Sequence, residues 1–244
     1  MFHHQQAMVE QKRVIGILGG MGPEATVDLF KKIIKATPAE KDQEHLRIII
    51  VNDPQVPERT DAILHKGASP IPKLKEDLRI LKQAGADFAV IPCNTVHYFI
   101  TDLRAAKILP VVDMIDETIN FIKEKYPSVQ RMGLVATDGT IQSQIYHRRA
   151  ESKGIEVITP RTADQNIVMS AILDYIKKGK LEPARSLLLK IASTLAEMGA
   201  ELVIAGCTEI PLVLFEGDLE LPLVDPTWVL ALKAVEVATS GKID

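Results

Sequence analysis

Two stretches of this chain are close copies of one another, 114 positions apart. Gly85-Ala86-Asp87-Phe88-Ala89-Val90-Ile91-Pro92-Cys93 and Gly199-Ala200-Glu201-Leu202-Val203-Ile204-Ala205-Gly206-Cys207 both open Gly-Ala-acid and continue as an apolar run. Both reach a cysteine eight positions after the glycine. The copying extends outward. Arg131-Met132-Gly133-Leu134-Val135-Ala136-Thr137 repeats Arg13-Val14-Ile15-Gly16-Ile17-Leu18-Gly19, and a Pro-x-Val-Asp follows each cysteine, at Pro110–Asp113 and Pro222–Asp225. Three matched elements in one order, at offsets of 112 to 118, restrict the chain to two similar halves.

Within each half, short apolar runs alternate with helical patterns. Val14–Leu18, Arg47–Val51 and Asp87–Ile91 read as buried strands. Pro23 suits the first turn of a helix that carries Val27, Phe30 and Ile34 on one face. Leu74, Leu78 and Leu81 recur at i, i+4, i+7, and Gly85 sits where a left-handed cap ends that helix. Leu188, Ile191, Leu195 and Met198 form a second such stripe, stopped by Gly199. This alternation predicts an α/β fold: two similar parallel-sheet α/β domains with right-handed crossovers, related by a pseudo-twofold, with a cleft between them.

The 244 residues, 46% apolar and 25% charged, are globular in composition and enough for two domains of roughly 100–130 residues. Twenty-nine basic residues against 32 acidic leave a formal charge of −3, no electrostatic footprint for nucleic acid or an anionic membrane. No run approaches the roughly 18 apolar residues of a spanning helix. Residues 1–12 carry no apolar stretch of signal-peptide length and read as a flexible leader, so a cytoplasmic location is expected. Cys93 and Cys207 are the only cysteines. Their spacing offers neither a CxxC redox pair nor a zinc site, so no metal is expected, and a reducing cytosol keeps both as free thiols.

Each cysteine follows a buried strand and precedes a helix start. In open α/β sheets, ligands bind at the carboxyl ends of the strands. Two halves facing across a pseudo-twofold place equivalent positions on opposite sides of one cleft, so Cys93 and Cys207 would flank one bound molecule. A lone cysteine is most often a small buried hydrophobe; the repeat is what argues otherwise. A thiol titrates near about 8.5, and a helix N-terminus can bring it down to roughly 3.5–7.5. One thiolate and one thiol could then remove a proton from one face of a carbon and return another to the opposite face, which inverts a stereocentre.

At these residues the sequence becomes recognisable. Gly19-Gly20-Met21-Gly22-Pro23, Pro92-Cys93-Asn94-Thr95-x-His97 and Gly206-Cys207-Thr208-Glu209 together resemble the aspartate/glutamate racemase family, most closely its cofactor-independent aspartate racemases. The resemblance runs from about Arg13 to the C-terminal helix. It implies racemisation of an acidic amino acid with no cofactor, with the two cysteines as the acid–base pair, in a homodimer. It also implies that the C-terminal helix returns to the first domain, giving domains of 13–111 plus 221–244 and of 112–220. By the same resemblance Arg59 and Lys177 hold the distal carboxylate of the substrate, chemistry that suits a bidentate guanidinium beside a point charge. Asn94, Thr95 and Thr208 then bind the α-carboxylate and tune the thiols, Met21 and Gln55 form walls, and Glu209 stands behind the cysteine. His97 reads as structural, because the repeat has Pro211 in its place.

Other readings remain open at this point. The loop Gly16-x-x-Gly19-Gly20-x-Gly22 is not GxGxxG, and no acid ends the second strand at the spacing a dinucleotide site needs. A two-lobed acidic-solute-binding protein would share the fold and the cations without catalysis. Hydantoin racemases, maleate isomerases and decarboxylases of the same superfamily keep the fold and change the reaction. Aspartate and glutamate differ by one methylene, worth only about 1–3 kcal/mol in a pocket.

Overall fold

The computed structural model describes residues 12–241. The chain runs β1 (Ile15–Gly19), α1 (Pro23–Ala36), β2 (Ile48–Asn52), α2 (Arg59–Ile63), α3 (Ile71–Gln83), β3 (Phe88–Val90), α4 (Ile100–Ala105) and α5 (Met114–Lys125). It continues β4 (Arg131–Val135), α6 (Asp138–Gln142), α7 (Ile145–Glu151), β5 (Glu156–Ile158), α8 (Thr162–Ser170), α9 (Leu181–Glu197), β6 (Leu202–Ala205), β7 (Leu223–Val224) and α10 (Pro226–Ser240). Two all-parallel sheets result, in the orders β2-β1-β3 and β5-β4-β6-β7. In the first sheet a single bridge from Ala89 to Val111 takes the place of β7.

The repeated letters do repeated jobs. Asp87 accepts a hydrogen bond from Val14 N–H at 2.7 Å, and Glu201 accepts from Arg131 N–H at 2.7 Å and Gln130 N–H at 2.8 Å. Asp113 caps α5 and Asp225 caps α10, each accepting from backbone N–H groups of the helix it opens. Both glycines that close the helical stripes lie in the left-handed region, Gly85 at φ +98° and Gly199 at +95°.

The capped helices trade sheets. Helix α5 follows the first half but buries Ile115, Ile119 and Ile122 against Met132, Leu134, Leu202 and Ile204 of the second sheet. Helix α10 follows the second half but packs Leu230, Ala231, Ala234 and Val237 against Ile15, Ile17, Leu29, Ile33 and Phe88. Each buried Leu, Ile, Val, Phe or Met side chain among these contributes roughly 1.5–3 kcal/mol of desolvation. Because β7 pairs with β6, residues 221–225 stay with the second sheet. Helix α10 then begins at Pro226. The remaining faces are covered by α3, through Leu74, Leu78 and Leu81, and by α9, through Leu188, Ile191 and Leu195. The proposed leader lies, apart from Lys12, outside the described residues.

Helix α1 turns a different face inward than its largest residues suggest. Ala25, Thr26, Leu29 and Ile33 are buried, while Val27, Phe30 and Ile34 are exposed. The cause is close approach: Thr26 Oγ1 accepts from Gly20 N–H at 2.9 Å, and a Cβ at Gly19 would lie 2.2 Å from that oxygen. Only small side chains fit there. The outward stripe adjoins Ile48 of β2, the edge strand of its sheet.

Candidate active site

Both cysteines line one cavity of about 170 Å³ between the halves. Cys93 is 5% exposed and Cys207 7%, and neither is in a disulfide. From the first half come Met21, Glu58, Arg59, Thr60, Asn94 and Thr95; from the second come Thr137, Met169, Leu173, Lys177, Thr208 and Glu209. Of the residues singled out from sequence, Gln55 alone is absent. It is exposed, because its N–H closes a tight turn on Asp53 Oδ1 at 2.8 Å and the neighbouring Val56 takes the inward position.

The loops are held by specific contacts. Gly20, at φ +102°, lies so close to Asp53 that a Cβ would come within 2.2 Å of its carbonyl oxygen. Gly139 on α6 meets Thr60 on α2 across the halves, where a Cβ would lie 2.8 Å from Thr60 Oγ1. Thr95 Oγ1 is 2.9 Å from both Thr137 Oγ1 and Thr140 Oγ1, joining the loop after β3 to the one after β4. Tyr146 of α7 donates to Asn94 Oδ1 at 2.5 Å. Asn94 is therefore fixed, with its Nδ2 buried and without a partner. His97 donates from Nδ1 to the Cys93 carbonyl at 2.7 Å, so it braces the cysteine loop from behind; burial pushes its pKa down, which keeps the ring neutral.

The cations sit where a carboxylate could meet them. Arg59, at the start of α2, is 7% exposed. Its Nη1 donates to the carbonyls of Val56 and Pro57, its Nη2 lies 3.7 Å from Glu58, and its Nε is buried without a partner. Lys177 follows a π-helical turn, Ala171–Tyr175, and its Nζ lies 3.5 Å from Glu209 Oε1. Burial pulls the Lys177 pKa down, but Glu209 and the two sulfurs outweigh it, and the net direction is up.

The thiols differ from the sequence-based expectation. Both are raised rather than lowered. Burial pushes the Cys93 thiol up, while the Arg59 guanidinium and the Val96 N–H pull against it. Burial pushes Cys207 well above the usual thiol range, and Glu209 adds to the rise; Cys207 Sγ–H donates to Glu209 Oε2 at 2.9 Å. The physical reason is burial, which the short turns that follow do not offset. Thr95–Phe99 and Ile210–Leu212 are 3-10 turns, not long α-helices, and offer little dipole against the cost of burying charge. Glu209 is thus in direct contact with a thiol and lines the cavity itself.

Thr137 is marked in the sequence only by the repeat: it is the image of Gly19, in the loop whose first-half copy supplies Met21. Met169 and Leu173 carry no comparable signal, since only the packing of α8 and the π turn brings them inward. Among the described residues, no group of His, Cys, Asp and Glu is arranged to hold a metal ion, and no helix is long and apolar enough to cross a membrane.

Comparison with known proteins adds to this geometry. The family model described as Asp/Glu/Hydantoin racemase matches residues 18–234. The broad specificity amino-acid racemase RacX of Bacillus subtilis is 27% identical over 226 residues, covering 91% of this chain and 96% of RacX. Among solved structures, Picrophilus torridus aspartate racemase superposes with a TM-score of 0.82 at 29% identity, over 93% of this chain and 94% of that one. Francisella tularensis glutamate racemase, solved with D-glutamate, shares the fold with a TM-score of 0.70 at 21% identity, over 95% of this chain and 82% of that one.

Proposed function

This chain belongs to the Asp/Glu/hydantoin racemase family and has the two-domain fold of an amino-acid racemase, and from that premise we propose that it interconverts L- and D-aspartate, with glutamate as the alternative acidic substrate, by two-base proton transfer between Cys93 and Cys207. The observation that carries the reading is that two cysteines from equivalent points of two repeated halves line one small cavity together with Arg59 and Lys177.

The substrate enters as an α-ammonium with two carboxylates. Arg59 Nε, buried and unpartnered, and the Lys177 ammonium receive the distal carboxylate. Asn94 Nδ2, equally unpartnered, and Thr208 receive the α-carboxylate. The substrate's net charge is negative, so the thiolate comes from the site itself: Arg59 pulls the Cys93 thiol down against burial, and its proton goes to solvent before the substrate binds. Cys93, next to Arg59, ionises first. Cys207, bonded to Glu209, remains the acid. Cys93 removes the α-proton from one face, Cys207 supplies a proton to the other, and the roles exchange in the reverse direction. The carbanionic charge at the α-carbon and its carboxylate is stabilised by the preorganised donors; loss of one such donor costs about 3–4 kcal/mol. No cofactor takes part in these steps. By this reading the enzyme works in the cytoplasm, where both thiols stay reduced, and as a homodimer, which light scattering on the purified chain tests.

A neutral amino acid is the second reading. Arg59 and Lys177 already face Glu58 and Glu209, and RacX is named for broad specificity. One experiment separates the readings: reduced protein is incubated in D2O with L-aspartate, L-glutamate or L-alanine. Alpha-deuteration and approach to equal D and L, fastest with aspartate, supports the proposal. Faster racemisation of alanine overturns the acidic substrate but keeps the cysteine chemistry. No exchange with any of the three, in folded protein, overturns the two-base mechanism for amino acids.

A further inference from the structure

A second concavity lies away from the cysteines, where the helices that trade sheets meet. It has a volume of about 490 Å³ and runs between α1, α5, α10 and the loop after the Ile210–Leu212 turn. That size falls within the roughly 300–1,000 Å³ typical of small-molecule sites. It shares no lining residue with the cysteine cavity.

Its walls are aromatic: Phe121, Tyr126, Phe215 and Trp228, the chain's single tryptophan. Two ammoniums rest on these rings. Lys35 Nζ lies 5.6 Å from the Trp228 centroid, and Lys125 Nζ lies 5.4 Å from the centroids of both Phe121 and Tyr126. The formal charges of the lining balance, but they are segregated. Asp28 and Asp225 both pair with Lys32, the latter at 2.6 Å, whereas neither Lys35 nor Lys125 is paired with a carboxylate among the described residues. Only Glu216, on the exposed loop, stands against them. An exposed ammonium gains less from a ring face than from a charge-assisted hydrogen bond to a carboxylate.

We propose that this groove is a binding site for a small planar aromatic carboxylate. Its ring system packs on Trp228 and on the Phe121–Tyr126 wall, and its carboxylate draws Lys35 and Lys125 off their rings. The proposal is independent of the chemistry at the cysteines.

The single tryptophan makes the site report on itself, because a 15N-labelled sample has one indole N–H resonance. Titrating the full chain with 2-naphthoate should shift that resonance to saturation, with one-site binding by calorimetry. 2-Naphthalenemethanol has the rings without the charge, and cyclohexanecarboxylate has the charge without the rings. Each should bind at least about tenfold more weakly, the loss expected when a charged hydrogen bond or an aromatic contact is removed. The double variant Lys35→Gln/Lys125→Gln alters two exposed side chains. It should weaken 2-naphthoate by a similar factor while circular dichroism and racemisation stay as in the parent. Equal affinity for the alcohol, unchanged affinity in the double variant, binding that leaves the Trp228 resonance in place, or no binding at millimolar 2-naphthoate would each overturn the proposal.

Discussion

Strand β3 delivers Cys93 and strand β6 delivers Cys207, and the position two residues beyond each cysteine shows where the halves part company. In the first half that position is Thr95, a neutral hydroxyl bonded to Thr137 and Thr140. In the second it is Glu209, a carboxylate bonded to the neighbouring thiol and facing Lys177. Four residues beyond, His97 braces the first loop and Pro211 stands in the second. Two copies of one backbone therefore present two sulfurs in equivalent places, and side chains that were not copied give them unequal hold on their protons. A racemase needs both properties: equivalence so that either face of a carbon is reached, and inequality so that one sulfur is empty while the other is loaded.

The largest effect should come from deleting either sulfur. Cys93→Ala and Cys207→Ala should each lower racemisation by about 10²–10⁴-fold or more, read as D/L ratio by chiral chromatography. Parental turnover in either folded variant would end the pairing of the halves. Next come the cations. Arg59→Gln should cost about 10–100-fold in kcat/KM for aspartate, the worth of a buried charged hydrogen bond. Lys177→Gln should cost less, because its side chain is 35% exposed and its charge is partly screened; a larger loss there would reverse the assignment.

Making the second site more like the first is a finer probe. Glu209→Gln removes the carboxylate that helps hold Cys207 protonated. The Cys207 pKa then falls, the thiol is lost at lower pH, and the alkaline limb of the kcat/KM–pH profile should move to lower pH. A limb that stays in place or moves upward would remove Glu209 from the control of that proton. The smallest effect concerns the contact between halves. Tyr146→Phe takes the donor from Asn94 Oδ1 and should lower stability by about 1 kcal/mol, a fall of roughly 2–4 °C in Tm for a chain of this size.

Much of this was legible in the letters because duplication writes the same constraint twice. Gly85 and Gly199 are legible as caps, and the repeat marks Asp113 with Asp225 and Asp87 with Glu201 as matched positions, whose jobs as caps and ties the structure supplies. What was not legible depends on distances between segments. Val27, Phe30 and Ile34 form a good stripe, yet the approach of Thr26 to Gly19 decides which way the helix turns. Gln55 is adjacent to a buried valine and points away from it. The direction of the thiol shifts follows from how completely both sulfurs are buried, and from Glu209 beside Cys207, which a glycine-strand-cysteine pattern leaves unspecified.

The exchange of α5 and α10 has a consequence for how the molecule is made. Synthesis proceeds from the amino terminus at about 5–20 residues per second, and domains tend to fold as they emerge. Here the first sheet is translated before the second, with Ile15, Ile17, Leu29 and Phe88 ready for a neighbour, but the helix that covers them follows every strand of both sheets. The second half already has its covering helix, α5, waiting when its own strands arrive. Of the two halves, the one translated earlier is thus the one completed later. A stop codon just after Asp225 would release a chain whose earlier half is still open, while the later half would lack only Val229 from its core.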